Sequence, residues 1–216
     1  MKQINKLMLT SALVVCGFSV ANAQVSNKNF IGPSIEAGIQ YNKFKNSNTS
    51  DSEGIWTSAD NNTETLTRVS LNYGFPVAER TVLTLGASFT NGENNFNSST
   101  DQEVGMKYDN MYSLYIAPTY AVTDSTAAFA KVSYNKVDAS GSSLWAGGYD
   151  SNKKNISGIG IGAGIMTFIT KDIFLKAEVE RINYGSNTYI LDGAVPTNLS
   201  LKSVATNTTI SVGMKF

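Results

Sequence analysis

Residues 206–216 read TNTTISVGMKF, and this ending restricts the fold more than any other stretch of the chain. Counting back from Phe216, every second residue is apolar or close to it: Met214, Val212, Ile210, Thr208. The residues between them are polar or tiny: Lys215, Gly213, Ser211, Thr209, Asn207. Such alternation puts one row of side chains on each face of a β-strand. A soluble strand with one buried face alternates too, but a soluble exported domain has no reason to end on such a strand with a terminal aromatic. A transmembrane barrel does, because its residues face lipid and lumen in turn and aromatics gather at the membrane interface.

The N-terminus has the pattern of an export leader. Lys2 and Lys6 precede the apolar run Leu7 to Val20, and Ala21-Asn22-Ala23 forms a small-x-small cleavage site. Residues 1–23 are therefore expected to be removed, with Gln24 starting the mature chain. The run is too short to cross about 30 Å of hydrocarbon as a helix. Cys16 lies inside it and follows Val15, where lipidation needs a small residue. Cleavage would remove this only cysteine, leaving no thiol and no disulfide. The full chain has 17 basic and 17 acidic residues. Losing Lys2 and Lys6 leaves 15 against 17, a net of −2 with no block of like charge, which argues against a nucleic-acid partner. No later segment has the apolar length of a membrane helix, so a membrane-spanning chain of this kind must be a closed barrel.

Eight alternating segments follow. They are expected at 33–44, 65–76, 81–91, 107–121, 126–137, 156–169, 173–184 and the terminal strand. The outward rows include Ile35, Ala37, Ile39 and Tyr41; Val69, Leu71, Tyr73 and Phe75; and Ile159, Ile161, Ala163, Ile165 and Ile169. Met111, Tyr115 and Phe129 fall on polar faces and interrupt the pattern. Connections alternate short (77–80, 122–125, 170–172) and long. This is the plan of an all-β, eight-stranded antiparallel up-and-down transmembrane barrel with short periplasmic turns and long outer loops. Residues 24–32 become a short periplasmic segment, and 33–216 the barrel.

The plan, the segments SLYIAPTYAVTD and GIGIGAGIMTF, and the ending ISVGMKF together resemble the small Gram-negative outer-membrane barrels of the OmpX/Ail type. They are also similar to the transmembrane domain of OmpA, whose periplasmic peptidoglycan-binding domain is not expected here. The resemblance implies a porin-like protein at the cell surface, probed from outside through its loops. It implies that Ile210, Val212, Met214 and Phe216 form a C-terminal assembly signal read by the barrel assembly machinery. Outer-membrane lipid and lipopolysaccharide would surround a monomer. Members of the Ail group are associated with host-cell attachment, so surface ligands or host proteins are expected partners of the loops.

The candidate chemistry is mostly inside the barrel. Glu36, Arg68, Lys131, Lys176, Glu178 and Glu180 stand on the inward parity, with Asp109 higher up. Eight strands leave an interior just wide enough for side chains. Charges of mixed sign in so narrow a space are expected to pair into a plug rather than line an ion path. Gly158, Gly160, Gly162 and Gly164 would leave room for Lys131 and Glu178 to meet across strand six. A dinucleotide loop is excluded, since its glycines need a strand before and a helix after them. The chain has no histidine, which removes the commonest general base and metal ligand, and lipid A deacylase, omptin and phospholipase barrels resemble one another in using one. No enzyme activity, metal or cofactor is expected; Asp51 and Glu53 lack the ligand spacing of a calcium loop. Trp56, Trp145, Tyr149 and Tyr189 in the outer loops are candidate recognition residues. Lys153-Lys154 is the one basic cluster in the sequence, which weighs against heparin-like attachment. The function expected is structural and surface-interacting; the alternative is a small channel or transporter of small or apolar molecules.

Overall fold

The computed structural model describes residues 26–50, 62–97, 104–143, 154–191 and 197–216. The leader at 1–23 and the loop residues Trp56, Trp145 and Tyr149 lie outside these residues, as do Asp51, Glu53 and Lys153. A 3-10 turn, Lys28–Phe30, leads into β1 (Gly32–Ser50). Then come β2 (Asn62–Ala78), β3 (Thr81–Asn91), β4 (Asn94–Asn97), β5 (Val104–Ala121), β6 (Thr126–Ser143), β7 (Lys154–Phe168), β8 (Ile173–Leu191) and β9 (Thr197–Lys215). β3 and β4 form one stave of the barrel, broken at Gly92, whose φ of 129° a side chain would resist. Both halves pair with β5.

Every pairing is antiparallel between sequence neighbours, and β9 pairs with β1 from Ser34–Lys215 upward. The sheet thus closes with eight staves and the seam expected from the terminal strand. The β2–β3 connection is Glu79-Arg80. The other two short turns use the same device. In 122–125 and 169–172 a threonine hydroxyl, of Thr123 or Thr170, accepts the backbone N–H of Thr126 at 2.9 Å or Ile173 at 3.0 Å. These are hydroxyl-closed turns, read locally from the sequences VTDST and ITKDI.

The strands run further than the membrane requires. Spans of about 9–11 residues suffice to cross, whereas β1, β8 and β9 each have 19 residues. The expected outer loops at 45–64, 138–155 and 187–202 therefore give up residues at both ends to the strands. Tyr189, expected in a loop, is a strand residue of β8 paired with Leu199.

The outer surface carries the expected apolar rows, including Ile39, Leu71, Leu114, Ile161, Ile165, Val179 and Ile210. Tyr73, Phe75, Tyr120 and Phe216 lie toward the short turns. Tyr41, Phe89, Tyr112 and Tyr134 lie toward the other end, giving two aromatic girdles around an apolar band. Exposure of this kind over a whole circumference is what lipid covers.

One parity expectation fails. β5 carries a bulge at Asn110, whose φ is 49°, and the β5–β6 register shifts between Asp109 and Tyr112. An extra residue exchanges the two faces above it. Tyr108 therefore points inward and is buried, while Asp109 sits beside Asp138 on the outer side rather than in the lumen.

Candidate functional site: a charged layer sealed in the lumen

Register brings the six inward charges to one level. Lys131 on β6 lies opposite Gly162 on β7, and Gly162 lies opposite Glu180 on β8. Two strand spacings, about 10 Å, separate Lys131 from Glu180 at the backbone. The glycine between them has no side chain to block the span. A Cβ at Gly162 would press on the carbonyl of Val179 at 2.8 Å. Lys131 Nζ reaches Glu180 Oε2 at 2.8 Å and, two residues down β8, Glu178 Oε1 at 2.6 Å. Arg68 Nη1 lies 3.0 Å from Glu178 Oε1. It enters from β2 opposite another bare position, Gly38. Lys176 Nζ joins Glu36 Oε1 at 3.0 Å and Glu178 Oε2 at 3.3 Å.

Three cations and three carboxylates therefore form one connected network of zero net charge. Glu178 is its hub, touched by Arg68, Lys131 and Lys176. Glu180 and Glu36 are peripheral, each joined to one cation. All six residues except Lys176 are at least 96 % buried, so their charges depend on one another rather than on bulk water.

The aromatics that interrupted the sequence pattern belong to this layer. Tyr115 and Phe129 are inward and buried. Lys131 Nζ sits 4.5 Å from the Tyr115 ring centroid, and Lys176 Nζ lies 5.1 Å from that of Phe129. Ring faces attract cations that have left water. The Tyr115 hydroxyl donates to Asn72 Oδ1, and the Ser133 hydroxyl to Glu180 Oε1. Asn135 Nδ2 then donates to Ser133 Oγ at 2.6 Å, which fixes the serine. In the sequence Tyr115 and Phe129 stand out only as interruptions of the alternation. Their signal was parity: each stands on the inward face of its strand, as the charges do on theirs.

Apolar layers close both ends of this charged layer. Toward the long connections, Phe44, Tyr108, Met111, Val137, Ala139, Ile156, Ile182, Tyr184 and Ala205 form one buried cluster. Phe44 and Tyr108 stack with centroids 4.2 Å apart and planes 3° from parallel. Toward the short turns, Phe30, Val82, Ala121, Ala127, Phe168 and Phe174 form another. Phe30 meets Phe168 edge-on at 5.5 Å. Between this floor and the charges lies a cavity of about 40 Å³ bordered by Glu36, Tyr115, Phe129, Phe174 and Lys176. It has room for a few water molecules at most and is far below the roughly 300–1,000 Å³ of small-molecule sites.

The floor is delivered by the N-terminal segment, which straps the mouth. Ser26 N–H donates to Asp124 Oδ1 at 2.7 Å and Asn29 Nδ2 to the Asp124 carbonyl at 2.7 Å, holding the β5–β6 turn. Asn27 Nδ2 donates to the Ala78 carbonyl at 2.6 Å beside the β2–β3 turn. Lys215 Nζ at the other terminus donates to the Lys28 carbonyl at 2.8 Å. Those bonds drop Phe30 into the barrel end.

The four residues of the C-terminal row, Ile210, Val212, Met214 and Phe216, all face outward and are exposed. Among the described residues no cluster of three or more metal-ligating side chains occurs.

Comparison with known proteins agrees with this architecture. OprG from Pseudomonas aeruginosa superposes with a TM-score of 0.53 at 13% identity, over 86% of this chain and 96% of that one. Neisserial surface protein A gives 0.51 at 15% identity, over 86% and 97%. The outer-membrane protease OmpT from Escherichia coli gives 0.53 at 9% identity, over 85% and 96%. At such identities the likeness is one of fold. No curated protein sequence matches the chain. A family model described as the outer membrane protein beta-barrel domain matches residues 10–216. An eight-stave closed barrel with an apolar outer band, matched over nearly its whole length by that model, belongs to the outer-membrane β-barrel domain family.

Proposed function

We propose that this outer-membrane barrel is a closed structural element which serves the cell surface through its outer connections and does not conduct. The observation that carries the reading is the stacking of the lumen: a neutralised charged layer between two apolar layers. An ion crossing it would have to displace Lys131 or Arg68 from carboxylates at 2.6–3.0 Å and part the Phe44–Tyr108 stack. The reading includes a cleaved leader at 1–23, an N-terminus on the periplasmic side, and assembly through the row ending at Phe216. It takes the barrel as a non-enzyme, because the chain has no histidine and the lumen charges are consumed by one another. The fold itself accommodates catalysis, as the protease OmpT illustrates, so the argument rests on residues and not on architecture.

Planar-bilayer recording of the refolded protein tests it. Conductance at the bare-bilayer baseline is expected. Stable, ion-selective openings would replace this reading with the small channel or transporter.

A further inference from the structure

In the sequence the only adjacent basic residues of the outer part are Lys153 and Lys154. The barrel assembles a larger cluster from distant positions. Lys43 on β1 and Arg181 on β8 both pair with Thr206 of β9, so they sit on one row with a single strand between them. Lys45 lies two residues beyond Lys43 on the same face, about 7 Å along the strand. Lys45 pairs with Val204, which makes Lys202, two residues on, its diagonal neighbour. Diagonal pairs of this kind are about 7–8 Å apart, within reach of long side chains.

All four cations are exposed on the outer face, and none has an ion-pair partner among the described residues. The outward positions of β1, β8 and β9 in the described residues carry no carboxylate. The opposite side of the barrel is different: there Lys107 pairs with Glu93, and Lys136 shares its strand's outer face with Asp138. The position of the patch is as informative as its sign. Lys43 follows Tyr41 of the girdle, and Arg181 follows Val179 on the outward row of β8. The four cations therefore begin where the apolar band ends, on the side away from the short turns.

We propose that Lys43, Lys45, Arg181 and Lys202 form a seat for the phosphate groups of an outer-leaflet phosphorylated glycolipid, on the β8–β9–β1 face at the barrel seam. This rests on the outer-membrane reading with the short turns in the periplasm. A lipid whose acyl chains lie against Ile39, Val179 and Ile210 places its phosphates at this height. Arginine offers the planar fork suited to phosphate and lysine a mobile point charge. A cationic side chain near an anionic lipid surface gains on the order of fivefold in affinity.

The test uses the full mature chain refolded in detergent, with retention of added lipid read by native mass spectrometry. The lipids are diphosphorylated lipid A and its dephosphorylated form; a sulfated heparin fragment is the third probe. Wild type is expected to retain the diphosphorylated lipid at least about tenfold over the dephosphorylated one. K43Q/K45Q/R181Q/K202Q should lose that preference, and K107Q/K136Q should keep it. Each fold is verified by the mobility shift on an unheated gel. If the quadruple variant does not fold, K43Q/K45Q and R181Q/K202Q separately are each expected to lose part of the preference. An undiminished preference in the folded variants overturns the proposal. So does patch-dependent binding of the heparin fragment without lipid discrimination, which would make the partner a soluble anionic polysaccharide. Labelling Asn155→Cys and Lys171→Cys in intact cells with an impermeant reagent checks orientation separately. Reaction at 171 and not at 155 would sink the topology itself.

Discussion

Replacing Lys131 by methionine should destabilise the barrel, and the structure specifies which second change repairs it. Lys131 contacts two carboxylates, but they depend on it unequally. Glu178 keeps Arg68 at 3.0 Å and Lys176 at 3.3 Å after the lysine is gone. Glu180 keeps only neutral donors, chiefly Ser133. Lys131→Met therefore strands Glu180, a buried carboxylate, and a buried charge stripped of its partner costs about 3–5 kcal/mol. Adding Glu180→Gln restores zero net charge, and the glutamine oxygen still accepts from Ser133. What remains lost is one of the three cation contacts of Glu178, whose other two stay, and the contact of the ammonium with the Tyr115 ring, the latter about 1–2 kcal/mol. Adding Glu178→Gln instead also restores zero net charge, but leaves Glu180 stranded and takes from Arg68 its carboxylate. The two double variants should thus differ by about 2 kcal/mol, close to 30-fold in the folding equilibrium at 1.4 kcal/mol per tenfold. Urea unfolding in phospholipid vesicles, followed by tryptophan fluorescence, measures the difference. Equal stability of the two doubles, or greater stability of Lys131→Met/Glu178→Gln, would refute the hub-and-periphery assignment and leave net charge alone as the determinant.

Three further outcomes are expected. Arginine at Ile161, Leu114 or Val212 should cost roughly 2–4 kcal/mol and at Asn155 little; equal unfolding midpoints at both kinds of site would mean the lipid-facing parity is misplaced. Gly164→Val should weaken the barrel more than Ala163→Val, because a side chain at 164 meets the Phe129 ring and the Ala177 carbonyl while Ala163 faces outward; a thermal melt showing the reverse order contradicts the lumen geometry. Deleting Phe216 should lower the surface amount of protein and raise periplasmic degradation, as measured by fractionation and immunoblotting, and unchanged levels would exclude an assembly role for the terminal row.

Much of this architecture is legible because a strand has period two. Alternation from Ile35 to Tyr41, or from Ile159 to Ile165, assigns faces with no knowledge of neighbours, and short turns count the staves. The charged layer was half legible. Parity put Lys131 and Glu178 indoors, and the glycines between them suggested a meeting. Only register shows that Gly162 aligns Lys131 with Glu180 first, so the more dependent carboxylate is the one sequence reasoning did not choose. The apolar ends were missed for a physical reason. Phe44, Val137, Ile156 and Ile182 continue the inward parity beyond the membrane span, where an apolar residue indoors replaces a polar one, and alternation fades. Asp109 was misplaced because a single extra residue at Asn110 leaves no compositional trace and exchanges the faces beyond it.

The N-terminal strap bears on the order in which the molecule is made. Its bonding partners are the β2–β3 turn, the β5–β6 turn and Lys215, which come from the first, middle and last parts of the chain. The two turns are held together by the β3–β5 pairing and by the Ala121 N–H on the Arg80 carbonyl at 2.8 Å, whereas Lys215 joins them only where β9 closes on β1. The complete set of strap bonds therefore exists only on a closed barrel. Phe30 works like a stopper in the neck of a vessel, packed in one cluster with side chains from several strands and tied, through Lys28, to Lys215 at the other end of the chain.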